Sequence, residues 1–434
     1  MLAVSAAWAF AGDQYLVRTP SSKIGAVAAR HGLTVLRGLD GAAGNLFLVE
    51  LPAGKGIGEV AADASVQNVE PNGTLFLPEI APGVPLRASS QIPGLGAPTA
   101  VGFYGVQALG AYVNQPAGSV VALAAARGLA TGTGAVVAIL DTGVDTGSSV
   151  LKNSLVTGWD FTRNIPGGSE MADLNQSTTA ILDQSTTAIL DQSTTAILDK
   201  TGVLVLNQST TAILDQSTTA ILDKSKLPAA FGHGTMVAGI VHLMAPTAKI
   251  MPVKVFSGGG STTMDLIVQG INYAVDKGAD VINMSFSTTQ PDSELQAAIN
   301  NATKKGVICV ASVGNDGKQM IVYPAGYNVI GVASTNNQFQ RSSFSNYGSS
   351  VDVAAPGEGV ITLYPGNNYA AGWGTSFSAP FAAGGAALLA QLSSKTDQTA
   401  ATQALDQAFP IGQQLGAGEL NLLLACLYGA MHSH

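Results

Sequence analysis

From about residue 101 onward, short apolar segments alternate with longer amphipathic ones, and no other feature restricts the fold of this chain so tightly. Residues 135–140, 250–255, 281–284, 307–311 and 329–333 have the length and branched apolar composition of buried strands. Residues 234–243, 262–277, 293–305 and 376–393 carry helical periodicity between and after them. Such alternation predicts an α/β fold, a parallel sheet with helices on both faces. Ligands of such sheets bind beyond the carboxyl ends of the strands.

Ahead of this region, residues 12–80 read as a separate small α+β unit. Strands are expected at 13–17, 33–36, 45–51 and near 67–71, and helices at 21–31 and 57–64. Residues 81–100 hold four of the chain's 19 prolines and no periodicity, which marks an exposed and easily cut linker. Residues 1–11, MLAVSAAWAFA, end in the small-x-small pattern Ala9-Phe10-Ala11. They read as the remnant of a secretory signal, with a buried first strand as the alternative. An exported protein, extracellular or periplasmic, is the expectation.

Composition narrows the function classes. Charged residues make up only 11% of the chain, and the net charge is −8 without an acidic run. No Lys/Arg cluster is present to neutralise phosphates, which argues against nucleic-acid binding. No apolar run reaches the roughly eighteen residues of a membrane span. The two cysteines, Cys309 and Cys426, cannot build a disulfide framework, and Cys309 lies in an apolar run that suits a buried thiol.

One segment interrupts the α/β order. Residues 176–223 consist of eight-residue units, five of them reading QSTTAILD and the fourth KTGVLVLN. An eight-residue period turns an α-helix about 80° past whole turns, so Ile and Leu would spiral around it. A strand period of two divides eight, so every unit can present the same face. Short strands with Asx-type turns, stacked as a small solenoid or meander, are therefore expected, with a disordered expansion as the alternative.

Three positions carry candidate chemistry. Asp141 closes the apolar run 136–140 and is followed by Thr142-Gly143, although a turn aspartate reads the same way. His233 lies in Gly232-His233-Gly234-Thr235, where a helix-capping histidine is the plain alternative. Ser376 lies in Gly374-Thr375-Ser376-Phe377-Ser378-Ala379-Pro380 at the start of an apolar helix, where an N-cap serine is common. A second Asp-Thr-Gly at Asp145 imitates an aspartic-protease signature. That chemistry needs two carboxylates from separate lobes, and two copies four residues apart cannot supply them.

Together, and in the order Asp, His, Ser, these contexts resemble the subtilisin family. The segments Met244 to Lys249 and Pro252 to Val255, Gly278 to Ser285, Phe344 to Gly348 and Ala354 to Gly357 are similar to that family as well. Residues 12–80 resemble its inhibitory propeptide, and 101–434 its catalytic domain interrupted by 176–223. The resemblance implies a secreted serine endopeptidase made as a self-inhibited, self-processing zymogen. Ser376 would be the nucleophile, His233 the general base and acid, and Asp141 the group that orients the imidazole. Asn315, in Val313-Gly314-Asn315, matches the oxyanion-hole asparagine, and Ser285, Phe286, Ser287 and Gly314 the substrate-binding edge.

Several departures qualify the resemblance. Ser285 is followed by Phe286-Ser287 where relatives have leucine and glycines, which should narrow the pockets. Phe377 replaces the methionine usual after the nucleophile. Only His242 to Ala245 stand where many relatives have a calcium loop, too few to wrap the ion, so neither that tight calcium site nor a required cofactor is expected, and weaker calcium sites stay open. The expected partners are polypeptide substrates and the chain's own propeptide. The rival class is a non-catalytic surface or adhesion protein that works through its repeats.

Overall fold

The computed structural model describes residues 10–41, 44–53, 55–77, 99–174, 197–198, 203–205, 211–214, 227–412 and 414–432. Its centre is an eight-stranded sheet. In spatial order the strands are Val353–Pro356, Ile330–Thr335, Ile308–Ser312, Val281–Met284, Val136–Asp141, Lys249–Lys254, Gly158–Asp160 and Ile165–Gly167. Every neighbouring pair is parallel except the last, which is an antiparallel hairpin.

Both faces of this sheet are buried, and the strand sequences show why. In the first strand Val137 and Ile139 join one apolar cluster while Ala138 and Leu140 join the other, following the two-residue alternation of β-structure. The first cluster packs beneath the helices His233–Met244 and Thr375–Leu392, the second beneath Met264–Asp276 and Ser293–Lys304. Each fully buried Leu, Ile, Val or Phe in these clusters contributes about 1.5–3 kcal/mol. After Val136–Asp141 the chain places Lys249–Lys254 on one side and then crosses to Val281–Met284 on the other. The carboxyl ends of these strands are therefore a topological switch point, where a ligand crevice opens.

The N-terminal unit is an antiparallel sheet of Phe10–Arg18, Thr34–Gly38, Leu46–Glu50 and Asn68–Phe76. Its helices Ser21–His31 and Gly58–Ala61 cover one face over Val17, Val27, Val49 and Val60. Leu16, Leu46, Leu48 and Leu75 point to the other face, into the second cluster of the large domain. The first strand begins at Phe10, so Phe10 and Ala11 belong to it although they read as the end of a signal. Residues 1–9 lie outside the described residues.

Two boundaries differ from expectation for one physical reason, a partner distant in sequence or hidden by composition. Thr262 and Thr263, read as the start of a helix, belong to the strand Ser261–Thr263 because that segment pairs with Thr74 to Phe76. Most of the expected linker lies outside the described residues, but Ala100–Phe103 at its end is a strand hairpinned to Val106–Leu109.

Within the repeats, Ile197–Leu198, Val203–Val205 and Thr211–Leu214 form an antiparallel run. Thr211–Leu214 continues that run onto Asn368–Gly372, which pairs with Val360–Tyr364. The strand Asn368–Gly372 leads directly into Trp373-Gly374-Thr375-Ser376. The remaining repeat residues lie outside the described residues.

Candidate active site

Asp141 ends its strand at the carboxyl edge of the sheet and is fully buried. Its Oδ1 accepts the Thr142 backbone N–H at 2.7 Å and lies 2.8 Å from His233 Nδ1. With Asp141 as acceptor, Nδ1 is the protonated nitrogen and Nε2 the basic one.

His233 is the first residue of the helix His233–Met244, and its side chain is 14% exposed. Two glycines make this entry possible. Gly232 has φ +96, which L side chains rarely adopt, and a Cβ on Gly234 would stand 2.0 Å from the Gly143 carbonyl oxygen. Burial alone would lower the His233 pKa, but the Asp141 charge and hydrogen bond, with Glu170 behind them, hold it above the ordinary value.

Ser376 is the second residue of the helix Thr375–Leu392, and Phe377 beside it lies 5.5 Å from the His233 ring. Pro380 sits four residues on and has no N–H to give the Ser376 carbonyl. Ser285 Oγ supplies the missing donor at 2.8 Å. In return Ser376 Oγ donates to the Ser285 carbonyl at 3.0 Å.

Asn315 follows the strand Ile308–Ser312 and is 3% exposed. Its Oδ1 accepts both the backbone N–H and the hydroxyl of Thr375 at 2.9 Å, so the donor end of the amide is Nδ2. An ideal Cβ on Gly374 would lie 3.4 Å from that Nδ2, which puts the amide over the turn into the serine helix. Gly314 accepts from Asn346 N at 3.1 Å. Ser285 and Phe286 are fully buried, and the Phe286 ring packs inward on Phe256 at 5.3 Å. Ser287 is half-buried just beyond.

The structure thus gathers Asp141, His233, Ser376, Asn315 and Ser285 at the carboxyl ends of neighbouring strands. Asp145, the decoy, has a turn role: its carboxylate accepts from Gly147 N and Gly366 N, both at 2.9 Å. The helix His233–Met244 runs through His242, Leu243 and Met244, all buried with Ala245. With no carboxylate among them, that donor set does not fit a calcium ion. Among the described residues, no group of three or more His, Cys, Asp or Glu side chains is placed to hold a metal. Nor is any helix there long and apolar enough to cross a membrane.

Three participants escaped sequence reading. Ser261–Thr263 is a strand that holds the N-terminal unit through Thr74 to Phe76, and Leu77 N reaches Gly260 O at 2.9 Å beside it. Lys254, fully buried, donates to Thr142 O at 2.6 Å and Phe256 O at 2.7 Å, bracing the chain on both sides of Asp141's exit. Glu170 is buried behind His233. Only the apolar context of Lys254 hinted at burial, and nothing local named the partners of Lys254 or Glu170.

Comparison with known proteins agrees with this fold. The Subtilase family, Peptidase_S8, matches residues 132–411, and the chain belongs to that family of subtilisin-like serine proteases. It is 41% identical to thermitase of Thermoactinomyces vulgaris over 45% of this chain and 75% of that protein. Against subtilisin Savinase of Lederbergia lenta the identity is also 41%, over 37% of this chain and 63% of that protein. Among solved structures, a protease of Pseudoalteromonas arctica PAMC 21717 superposes with TM-score 0.53 and 27% identity, covering 71% of this chain and 94% of that one. Fervidolysin from Fervidobacterium pennivorans shares the fold at TM-score 0.66 and 21% identity, covering 96% of this chain and 61% of its own.

Proposed function

We propose that this chain is the precursor of an exported serine endopeptidase in which Ser376, His233 and Asp141 act together. The observation that carries the reading is the 2.8 Å bond between Asp141 and His233 beside a helix start that holds Ser376 and Asn315. Ser376 Oγ leaves the Ser285 carbonyl, attacks the scissile carbonyl carbon and passes its proton to His233 Nε2. Asp141 stabilises the imidazolium that results. Asn315 Nδ2 and the Ser376 backbone N–H receive the oxyanion, and one such donor is worth about 10²–10³ in turnover, a magnitude known from subtilisin. His233 returns the proton to the leaving amine. Water then enters by the same base and releases the acyl group from Ser376.

Substrate lies as a strand between Ser285–Ser287 with Gly314 on one side and Ser261–Thr263 on the other. The N-terminal unit supports this reading, because its own strand already pairs antiparallel with Ser261–Thr263 through Thr74 to Phe76. Its side chains also complete the large domain's helices. Glu70 accepts from Ser293 N at 3.1 Å and Glu294 N at 3.3 Å, and Asn72 Oδ1 accepts from Asp265 N at 3.0 Å. Arg18 pairs with Glu294, and Arg37 with Asp265. Residues 12–80 are therefore an intramolecular inhibitor, and self-cleavage falls beyond Leu77, between 78 and 100.

Purified full-length chain and its Ser376→Ala variant test this. Wild type should release the N-terminal unit with a new N-terminus between 79 and 101, while Ser376→Ala remains intact. Processing of the purified variant would refute self-maturation. If wild type neither matures nor hydrolyses peptides, the working surface is the repeats and the enzyme reading fails.

A further inference from the structure

Glu170 opens the single turn Glu170–Asp173 immediately before the repeats and is fully buried. Its Oε1 accepts from Gly232 N at 2.7 Å and from the Thr142 hydroxyl. Its Oε2 accepts from the Thr235 hydroxyl at 2.6 Å and Thr235 N at 3.2 Å. Thr142 Oγ1 in turn accepts from Gly234 N at 2.9 Å. One carboxylate therefore links the residue after Asp141 to the residues on both sides of His233. The backbone supports it: Val144 N donates to Gly168 O at 3.0 Å and Glu170 N to Val144 O at 3.2 Å.

The chemistry of the four contacts selects a carboxylate. All four are donors, two to each oxygen, and an amide can accept at only one end. A glutamine would set its NH2 against N–H and O–H groups that lack another acceptor. Ionised, the group meets four charge-assisted bonds that offset much of its desolvation. The titratable and charged groups around it are Asp141, His233, Lys254 and Tyr364. Lys254 is engaged with Asp173, Thr142 O and Phe256 O, so Glu170 is satisfied by dipoles and not by a direct ion pair. Burial pushes Glu170 up to about 7, while the Thr142 and Thr235 bonds and Lys254 oppose the rise.

We propose that Glu170 is a positioning residue for acyl transfer: it locks Asp141 and His233 in register across the repeat insertion and, when ionised, adds negative charge behind the imidazole. The inference rests on the catalytic reading of Asp141, His233 and Ser376. Asp141 and His233 stand 92 positions apart, and the repeats fill much of that interval. The Glu170–Gly232 bond closes the interval at its base, so the length of the insertion does not reach the site. Its charge favours the imidazolium that forms as Ser376 attacks.

Full-length Glu170→Gln and Glu170→Asp, allowed to mature, are compared with wild type on a small peptide substrate across pH. Glu170→Gln should lower kcat about 10- to 100-fold with KM within about twofold, as expected for a base held slightly off line. It should also move the acid limb of kcat/KM to lower pH, because the charge that Glu170 carries when ionised, which favours protonated His233, is gone. Glu170→Asp should restore much of the limb's position. A fall in kcat with an unmoved limb would show a packing role only and overturn the proposal, as would an unchanged kcat. Should Glu170→Gln fail to fold, Thr142→Val, which removes the Thr142 bonds to Glu170 and Gly234 N and keeps the carboxyl group, should lower kcat at unchanged KM; unchanged kcat there overturns the register claim. Inactive wild type would refute the catalytic reading itself, whereas active wild type with an indifferent Glu170 refutes only this inference.

Discussion

Ser285 and Ser376 exchange hydrogen bonds in both directions, Ser285 Oγ to Ser376 O at 2.8 Å and Ser376 Oγ to Ser285 O at 3.0 Å. The first bond repairs the gap that Pro380 leaves in the helix ladder, and the second holds the Ser376 hydroxyl against the strand end. Ser285→Ala removes only the first. A buried carbonyl without a donor costs about 1–3 kcal/mol. Denaturant unfolding of Ser285→Ala should show that loss when measured in the Ser376→Ala background, where self-digestion is prevented. A loss below about 0.5 kcal/mol would mean that Ser376 O has found another donor.

As the proposed general base, His233 should set the acid side of the pH profile. The base must be neutral, so kcat/KM falls as pH drops through the His233 pKa, which lies above the ordinary value of about 6.5. Asp141→Asn removes the main cause of that elevation and also the acceptor that fixes the tautomer. It should lower kcat by about 10⁴ and shift what remains of the acid limb downward. A limb that stays in place would assign it to another group.

The N-terminal unit should leave more readily as pH rises. Glu70 reaches the Ser293 backbone while Asp292, the N-cap, accepts from Leu295 N at 2.8 Å. Burial first, and then the Glu70 charge, push Asp292 up to about 7. The part of that rise that comes from Glu70 exists only while the N-terminal unit is bound, so binding is tightest with Asp292 protonated and weakens as pH climbs toward about 7. Activity after self-cleavage should appear about tenfold faster at pH 8 than at pH 6, and Glu70→Gln should flatten that dependence. Equal rates in wild type would exclude Asp292 as the cause.

Much of this was legible in the sequence wherever a local pattern decides the outcome. The helix Ser21–His31 and the strand Val281–Met284 lie where their periodicity places them. Asp141, His233 and Ser376 stood out because their three contexts, together and in that order, resemble the subtilisin family; they lie at a strand end, a glycine-flanked helix entry and a helix start. Residues whose role depends on a distant partner could not be found. Ser261–Thr263 is a strand only because Thr74 to Phe76 lies against it. Glu170 meets Gly232 across 62 positions, much of that span repeats, so no local signal points to it. The hairpin Val360–Tyr364 with Asn368–Gly372 is likewise made by pairing and not by composition.

Deleting residues 176–223 should leave peptide hydrolysis within about threefold of wild type, since Asn368–Gly372 keeps its pairing with Val360–Tyr364. The contacts at risk are the pairs between Thr211–Leu214 and Asn368–Gly372. Circular dichroism should show reduced β-content. A folded deletion variant that has lost hydrolysis would mean that the repeats support the strand leading to Ser376. Unchanged β-content would favour a disordered expansion.

The most direct measurement is active-site titration of the matured protein with a fluorophosphonate, with the adduct mapped by mass spectrometry. One equivalent should attach at Ser376, at a rate that falls by orders of magnitude in His233→Ala and vanishes in Ser376→Ala. Labelling spread over other serines, or labelling of Ser376 that does not depend on His233, would contradict an assembled Asp141–His233–Ser376 site.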